Sequence, residues 1–489
     1  MKFQLLGASL AALHTLVSSE ESLEPRALPL VQSDQLRNSL LSSELLAKAR
    51  TLEGLAYATP KRNRQVLTPG HKATYEWLYQ SIKELSDYYT VEYQEFTAES
   101  PTATLTIDNV DVEAIPLSYS PSGKPNGTVV VVPKLGCDAA DFAGLDLTGN
   151  IALVSRGSCN FSAKNLFASS AGASGIILYN NASKAFRGNL DAANADFIPA
   201  VMIGQTDGLA LVESSKVSAK RAALDVLPHG STYNVIAQTK GGDQQNVLLL
   251  GAHSDASEDG PGINDNGSGL IALLEIAQQL TRYSTTNAIR FGWWSAEEVG
   301  LVGSTKYVES LSPEELAKIS VYLNVEMLAS PNYVYSIYDG DGLAFNTSGP
   351  PGSAAVEKMF EDYFTEVAGL NHVPTALNSR FDYVPFAAAG VPIGGVFAGA
   401  DGLKTEAEVE LFGGQAGVAY DVNLHTVGDD VANCNLTAWE QNSKAIAHAV
   451  ATYGVSFESL GVGKREERVL KRNAWKKQLQ RDEDHPSRH

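Results

Sequence analysis

Residues 249–270 read LLGAHSDASEDGPGINDNGSGL, and the stretch changes character three times. The apolar run Val247-Leu248-Leu249-Leu250, closed by Gly251, is the pattern of a buried strand. His253 and Asp255 follow at once, two residues apart, so an extended backbone points both side chains the same way. A loop of Gly, Asn and Asp comes next, ending in Asn264-Asp265-Asn266-Gly267, and helical spacing then runs from Leu270 to Leu280. In an open α/β sheet, ligands sit outside the carboxyl ends of the strands. A histidine and several carboxylates at such an end point to a metal site.

The same alternation continues outward. Strand patterns at Val247–Ala252, Ala288–Trp294 and Val321–Val325 are separated by helical ones at Leu270–Leu280 and near Ser304–Ser310, and a helix from Trp439 to Tyr453 closes the region. This predicts an α/β fold, a mixed and mostly parallel sheet with helices on both faces, over residues 46–107 and 228–460. The first of these segments supplies a helix from Gly70 to about Leu85 and a strand at Tyr89–Phe96. Between the two segments the character differs. Short strands at Thr104–Ile107, Thr128–Val132, Ile151–Val154 and Gly175–Tyr179 surround one amphipathic helix, Phe161–Ala173, and no His, Asp or Glu cluster has ligand spacing. Residues 108–227 therefore read as an inserted β-rich module with little chemistry of its own.

The ends of the chain are of another kind. Lys2, an apolar run and the small residues Ser18 and Ser19 form a secretory signal over 1–19, followed by a candidate propeptide at 20–45. The run is too short to span a membrane, and no later stretch reaches about 18 apolar residues. A secreted protein without a membrane anchor is the expectation. Asn-x-Ser/Thr acceptors at Asn126, Asn160, Asn181, Asn346 and Asn435 fit a glycosylated one, while Asn266 lies within the opening motif and reads as enclosed. Residues 461–489 are dense in charge and poor in apolar side chains, the composition of a disordered tail. With 489 residues, two domains are the prior; a net charge of −19 argues against nucleic acid as a partner. Of three cysteines, Cys137 and Cys159 are the natural disulfide pair in an oxidising compartment, leaving Cys434 as a buried free thiol.

Further chemistry-bearing residues fall where the strands end. Glu297 and Glu298 follow Ala288–Trp294, Glu326 follows Val321–Val325, and His425 lies in YDVNLHTVGD at 420–429. Each alone is weak, since paired glutamates are usually solvated and a lone histidine is usually structural. Together they deliver imidazole and carboxylate groups to one sheet edge. Such ligands without thiolates favour zinc or a related divalent ion. Two histidines and three carboxylates exceed what one ion needs, and a shared carboxylate would let them serve two. A glutamate beside the ions would then move the proton.

The motifs GAHSD, PGINDNGSG, WWSAEE and YDxNxH resemble those of secreted co-catalytic zinc aminopeptidases, closest to fungal leucine aminopeptidases and aminopeptidase Y. The string GNIALVSRGSCNFSAKNLFASSAGASGIILYNN resembles the protease-associated domain, which implies a lid or access role. The likeness extends from about Gly70 to Tyr453. It implies two zinc ions, with Asp265 bridging, His253 and Glu326 on one ion, and Glu298 and His425 on the other. Glu297 falls at the general base and Asp255 supports the His253 ring; Asp429 is placed either to support His425 or in solvent. Peptides are the implied substrates, with large apolar N-terminal residues such as leucine preferred, and the protein is expected to be a monomer. Two positions depart from the family pattern. Glu326 stands where the family has aspartate, which is expected to displace that carboxylate and weaken one ion. Leu424 replaces a tyrosine that stabilises the oxyanion, a loss on the order of 100- to 1000-fold in well-studied hydrolases. These departures leave open a catalytically weakened or inactive relative that binds peptide or protein.

Overall fold

The computed structural model describes residues 27–461 apart from 187, 192 and 193. The leader at 1–19 and all of the tail but residue 461 lie outside the described residues. Val247, Leu248, Leu249 and Leu250 are fully buried, as an apolar run with no polar face requires. Their strand, Asp243–His253, has parallel neighbours on both sides: Asn287–Trp294, and Ile319–Glu326, which is followed by parallel Ile393–Phe397. Antiparallel Arg221–Thr239 flanks Asn287–Trp294, and short strands Ser336–Tyr338 and Val373–Thr375 finish the other side. The sheet is mixed with a parallel centre, and His253 lies in register with Trp294. The ends of three adjacent parallel strands thus share one edge.

Helices cover the sheet. Gly269–Leu280 is buried along nearly its whole length, and Leu436–Val455 packs beside it. Trp293 Nε1 donates to the Leu270 carbonyl and Trp439 Nε1 to that of Ser268, tying strand and helix to the turn after Asp265. Helices Ser33–Asn38 and Ser42–Tyr57 begin within the stretch read as a candidate propeptide, yet Leu36, Leu40 and Leu45 are fully buried in this same core.

The insert is carried on a ribbon. Tyr89–Ile107 pairs antiparallel with Arg221–Thr239 along its length, with one shift of register between Glu99 and Thr102. One half of the ribbon belongs to the main sheet. In the other half Ala103, Leu105, Ala222, Leu224 and Val226 enter the core of the insert, so the module reaches several residues beyond the boundary at 108 read from sequence. Its strands Asn126–Val131, Ile151–Ser155, Gly175–Tyr179 and Ala200–Ile203 are parallel. A second helix, Gln205–Val217, was not legible in the sequence because only Gly208 and Leu211 of it are buried. The disulfide Cys137–Cys159 lies in this module, and Cys434 is free and half-buried.

Candidate metal centre

Gly251, two residues before His253, shows how closely the strand ends pack. A Cβ there would collide with Trp294 Nε1 and the Tyr322 hydroxyl. Those two groups hydrogen-bond each other at 3.0 Å; the hydroxyl then donates to Asn324 Oδ1 at 2.9 Å, and Asn324 Nδ2 faces Glu326 Oε2 at 3.4 Å. A buried polar chain therefore runs behind Glu326. His253 Nδ1 lies 3.1 Å from the Asp255 carbonyl, which can only accept, so Nδ1 carries the hydrogen and Nε2 faces the cluster.

His253 Nε2 lies 3.1 Å from Asp265 Oδ1 and 3.1 Å from Glu326 Oε1. His425 Nε2 lies 3.0 Å from Asp265 Oδ2 and 3.1 Å from Glu298 Oε2. The two oxygens of Asp265 thus face two different histidines, each accompanied by its own glutamate. Glu326 Oε1 stands at the same 3.1 Å from His253 Nε2 as Asp265 Oδ1 does. Glu297 sits beside these groups, its Oε2 3.8 Å from His253 Nε2.

The flanking residues explain how a loop holds Asp265 so closely. Asn264 Oδ1 accepts from the Ala329 N–H, and Asn266 Oδ1 from that of Met327, so both asparagines grip the segment just after Glu326. Asn266 is fully buried, consistent with an enclosed acceptor. The carboxylate of Asp255, with no exposed surface, accepts from the backbone N–H of Glu297 at 3.1 Å and of Glu298 at 3.4 Å. Its reach to the His253 ring is longer, 3.7 Å. Asp429 does not turn to His425 or to solvent. It is buried, and its oxygens accept from the backbone N–H of Asn264 at 2.8 Å and Asp265 at 3.0 Å.

The electrostatics are one-sided. Burial, aided by Asp421, pushes the Asp429 carboxyl up to about 8. Burial pushes Asp382, a residue the sequence reading passed over, up to about 7, with Glu326 adding to the shift. Burial also holds Glu297 well above the usual carboxylate range against the pull of His253, with Asp382 and Glu326 adding to the rise. Hydrogen bonds to Asp265 and Glu298 raise His425 to about 10. The cluster is short of positive charge, and Glu298 Oε1 is buried with no hydrogen-bond partner among the described residues. Donor atoms around a tetrahedral zinc with bonds near 2.0 Å are separated by roughly 3.3 Å. The spacings of 3.0 to 3.1 Å match that, so the donor set fits such ions.

A cavity of about 280 Å³ opens over the cluster, lined also by Leu301, Met327, Arg380, Phe381 and Leu424. Elsewhere Asp339, Asp341 and Glu357 converge, but their oxygens already accept from backbone N–H groups of residues 340–345.

A mixed sheet whose parallel centre gathers histidines and carboxylates at its carboxyl edge is the frame of a metal-dependent hydrolase, and the relatives place the chain in that class. The chain belongs to peptidase family M28, whose model matches residues 234–450, and residues 125–211 match the PA domain. It is 46% identical over 425 residues to a probable leucine aminopeptidase 2 of Aspergillus fumigatus, covering 85% of this chain and 84% of the relative. It is 43% identical to leucine aminopeptidase 2 of Arthroderma otae, covering 94% and 93%. Among solved structures, a zinc aminopeptidase from Bacillus subtilis aligns with a TM-score of 0.54 and 25% identity, over 87% of this chain and 95% of that one.

Proposed function

We propose that this chain is an extracellular aminopeptidase that removes N-terminal residues, large apolar ones such as leucine among them, from peptides at a centre of two zinc ions. The observation that carries the reading is Asp265, with one oxygen 3.1 Å from His253 Nε2 and the other 3.0 Å from His425 Nε2. His253, Asp265 and Glu326 would hold one ion, and Asp265, Glu298 and His425 the other. Ions held there would supply Lewis acidity toward a carbonyl and toward water.

The chain's own residues do the rest. Glu297, whose Oε2 stands 3.8 Å from His253 Nε2, takes a proton from water and returns it to the departing amine. Asp255 fixes where that carboxylate stands by holding the Glu297 N–H. The acidic cavity suits a protonated α-amine, and the apolar side chains of Leu301, Met327, Phe381 and Leu424 suit an apolar first residue. The relatives' names and the signal-like leader support the leucine preference and export.

The test uses leucine-4-nitroanilide with the purified chain, after chelation and after zinc is returned. Zinc-restored release is expected, with two ions per chain by metal analysis. Glu297→Gln should keep both ions and lose about 100- to 10,000-fold in turnover. Release that ignores zinc, or a Glu297→Gln variant as fast as the parent, overturns the assignment. Zinc bound without hydrolysis would make the chain a peptide-binding relative.

A further inference from the structure

His253 and Asp265 are separated by twelve positions, and their side chains must still meet at 3.1 Å. The loop between them contains Gly260, Pro261 and Gly262, and both glycines have positive φ. Both of its ends are also tied to a residue almost two hundred positions upstream. Arg64 lies between helices Ser42–Tyr57 and Pro69–Lys83 and has no exposed surface. Its Nη1 donates to the carbonyl of Ser254, the residue after His253. Its Nε donates to Pro261 at 2.6 Å and its Nη2 to Gly262 at 2.6 Å, three residues before Asp265. The Arg64 carbonyl accepts in turn from the Ala256 N–H at 3.1 Å.

We infer that Arg64 is a positioning residue for metal binding: its planar fork fastens both ends of the His253–Asp265 loop and so sets the spacing of two ligands. The inference rests on the reading of the cluster as a zinc centre. A wholly buried cation bonded to neutral carbonyls is a poor device for stability alone, because desolvating it costs more than an apolar side chain of similar volume would. Here it lies in the field of Asp255, Asp429, Asp265 and Glu298, which its charge offsets. Lysine cannot replace it. An ammonium keeps the charge but cannot present three N–H groups in one plane to three carbonyls.

The experiment compares the full chain with Arg64→Lys, Arg64→Gln and, as control, Asn63→Ala. Asn63 Nδ2 donates to the Glu258 carbonyl in the middle of the same loop, away from both ends. Zinc affinity is measured by competition with a chromogenic chelator, and melting temperature with and without zinc. Both Arg64 variants are expected to bind zinc roughly 10- to 100-fold more weakly, the size of effect seen when ligand-orienting partners are lost. Their zinc-induced rise in melting temperature should shrink accordingly, while Asn63→Ala stays within about twofold of the parent affinity. Arg64 variants that melt lower yet bind zinc as the parent does would overturn the inference, since Arg64 would then serve the fold only. So would an equal loss in Asn63→Ala, which would assign the effect to loop rigidity in general. Should Arg64→Gln fail to fold, Arg64→Lys, closer in charge and volume, carries the comparison. A parent chain that binds no zinc overturns the reading of the centre and this inference with it.

Discussion

Glu326 is where one methylene matters most. Its strand end is gripped by Asn266, whose Nδ2 donates to the Val325 carbonyl and whose Oδ1 accepts from Met327. With the backbone held on both sides, an aspartate there would draw its oxygens back by about 1.5 Å, against a tolerance near 0.2 Å for metal ligands. Glu326→Asp is therefore expected to weaken zinc binding on the order of tenfold or more, although aspartate is the residue the family pattern favours. Tighter binding in a chelator titration would show that the strand end yields. A second residue offers a pH test away from the centre. Burial, with Asp341 and Asp339 nearby, pushes the Glu357 carboxyl up from 4.5 to about 7. A carboxyl raised on folding gives stability that is full below the unfolded value and is lost as pH climbs through the folded one. Glutamine cannot ionise, so the melting temperature of Glu357→Gln should gain on the parent between pH 4.5 and 7 and hold that lead above it. A gap that does not change with pH would remove Glu357 from the account.

The elements were legible where burial dictated residue type. Runs such as Val247–Leu250 and Val321–Val325 have no polar face to place in water, so they had to be central strands, and the histidine and carboxylates gathered at their ends could be read off the sequence. The insert's Gln205–Val217 helix escaped notice because it buries so little. Arg64, and the partners of Asp429, escaped for a different reason. Both residues act through backbone groups more than a hundred positions away, and a charged residue in the polar string Lys61–Gln65 reads as a solvated face. Lys48 and Glu275 are likewise distant in sequence, but they meet through their side chains. Lys48 Nζ lies 2.6 Å from Glu275 Oε2, with side chains 15% and 1% exposed, and joins Ser42–Tyr57 to the central helix Gly269–Leu280. Lys48→Met would leave a carboxylate buried without its cation, at a cost of about 3 kcal/mol. Urea denaturation should read that loss as a lower midpoint; an unchanged midpoint would mean that Gln279, which donates to the other oxygen, suffices.

At the scale of the molecule, two sets of cores are joined by a single two-stranded ribbon. The insert's clusters draw on residues 103–226, whereas the large clusters around the sheet draw on the segments before and after them. Such an arrangement predicts two unfolding transitions. The Cys137–Cys159 bridge lies wholly within the insert and closes a loop of 22 positions. By loop-closure entropy it stabilises that module by roughly 3 kcal/mol. Replacing both cysteines with serine should therefore lower one calorimetric transition, the insert's, and leave the other where it was. Zinc should act in the opposite sense, raising the transition of the sheet domain because every residue proposed to hold it comes from there. The two perturbations applied together should then pull the transitions apart. If instead a single transition moves under both, the ribbon transmits the stability of each body to the other, and the insert is a structural part of the peptidase domain, not a module hung from it.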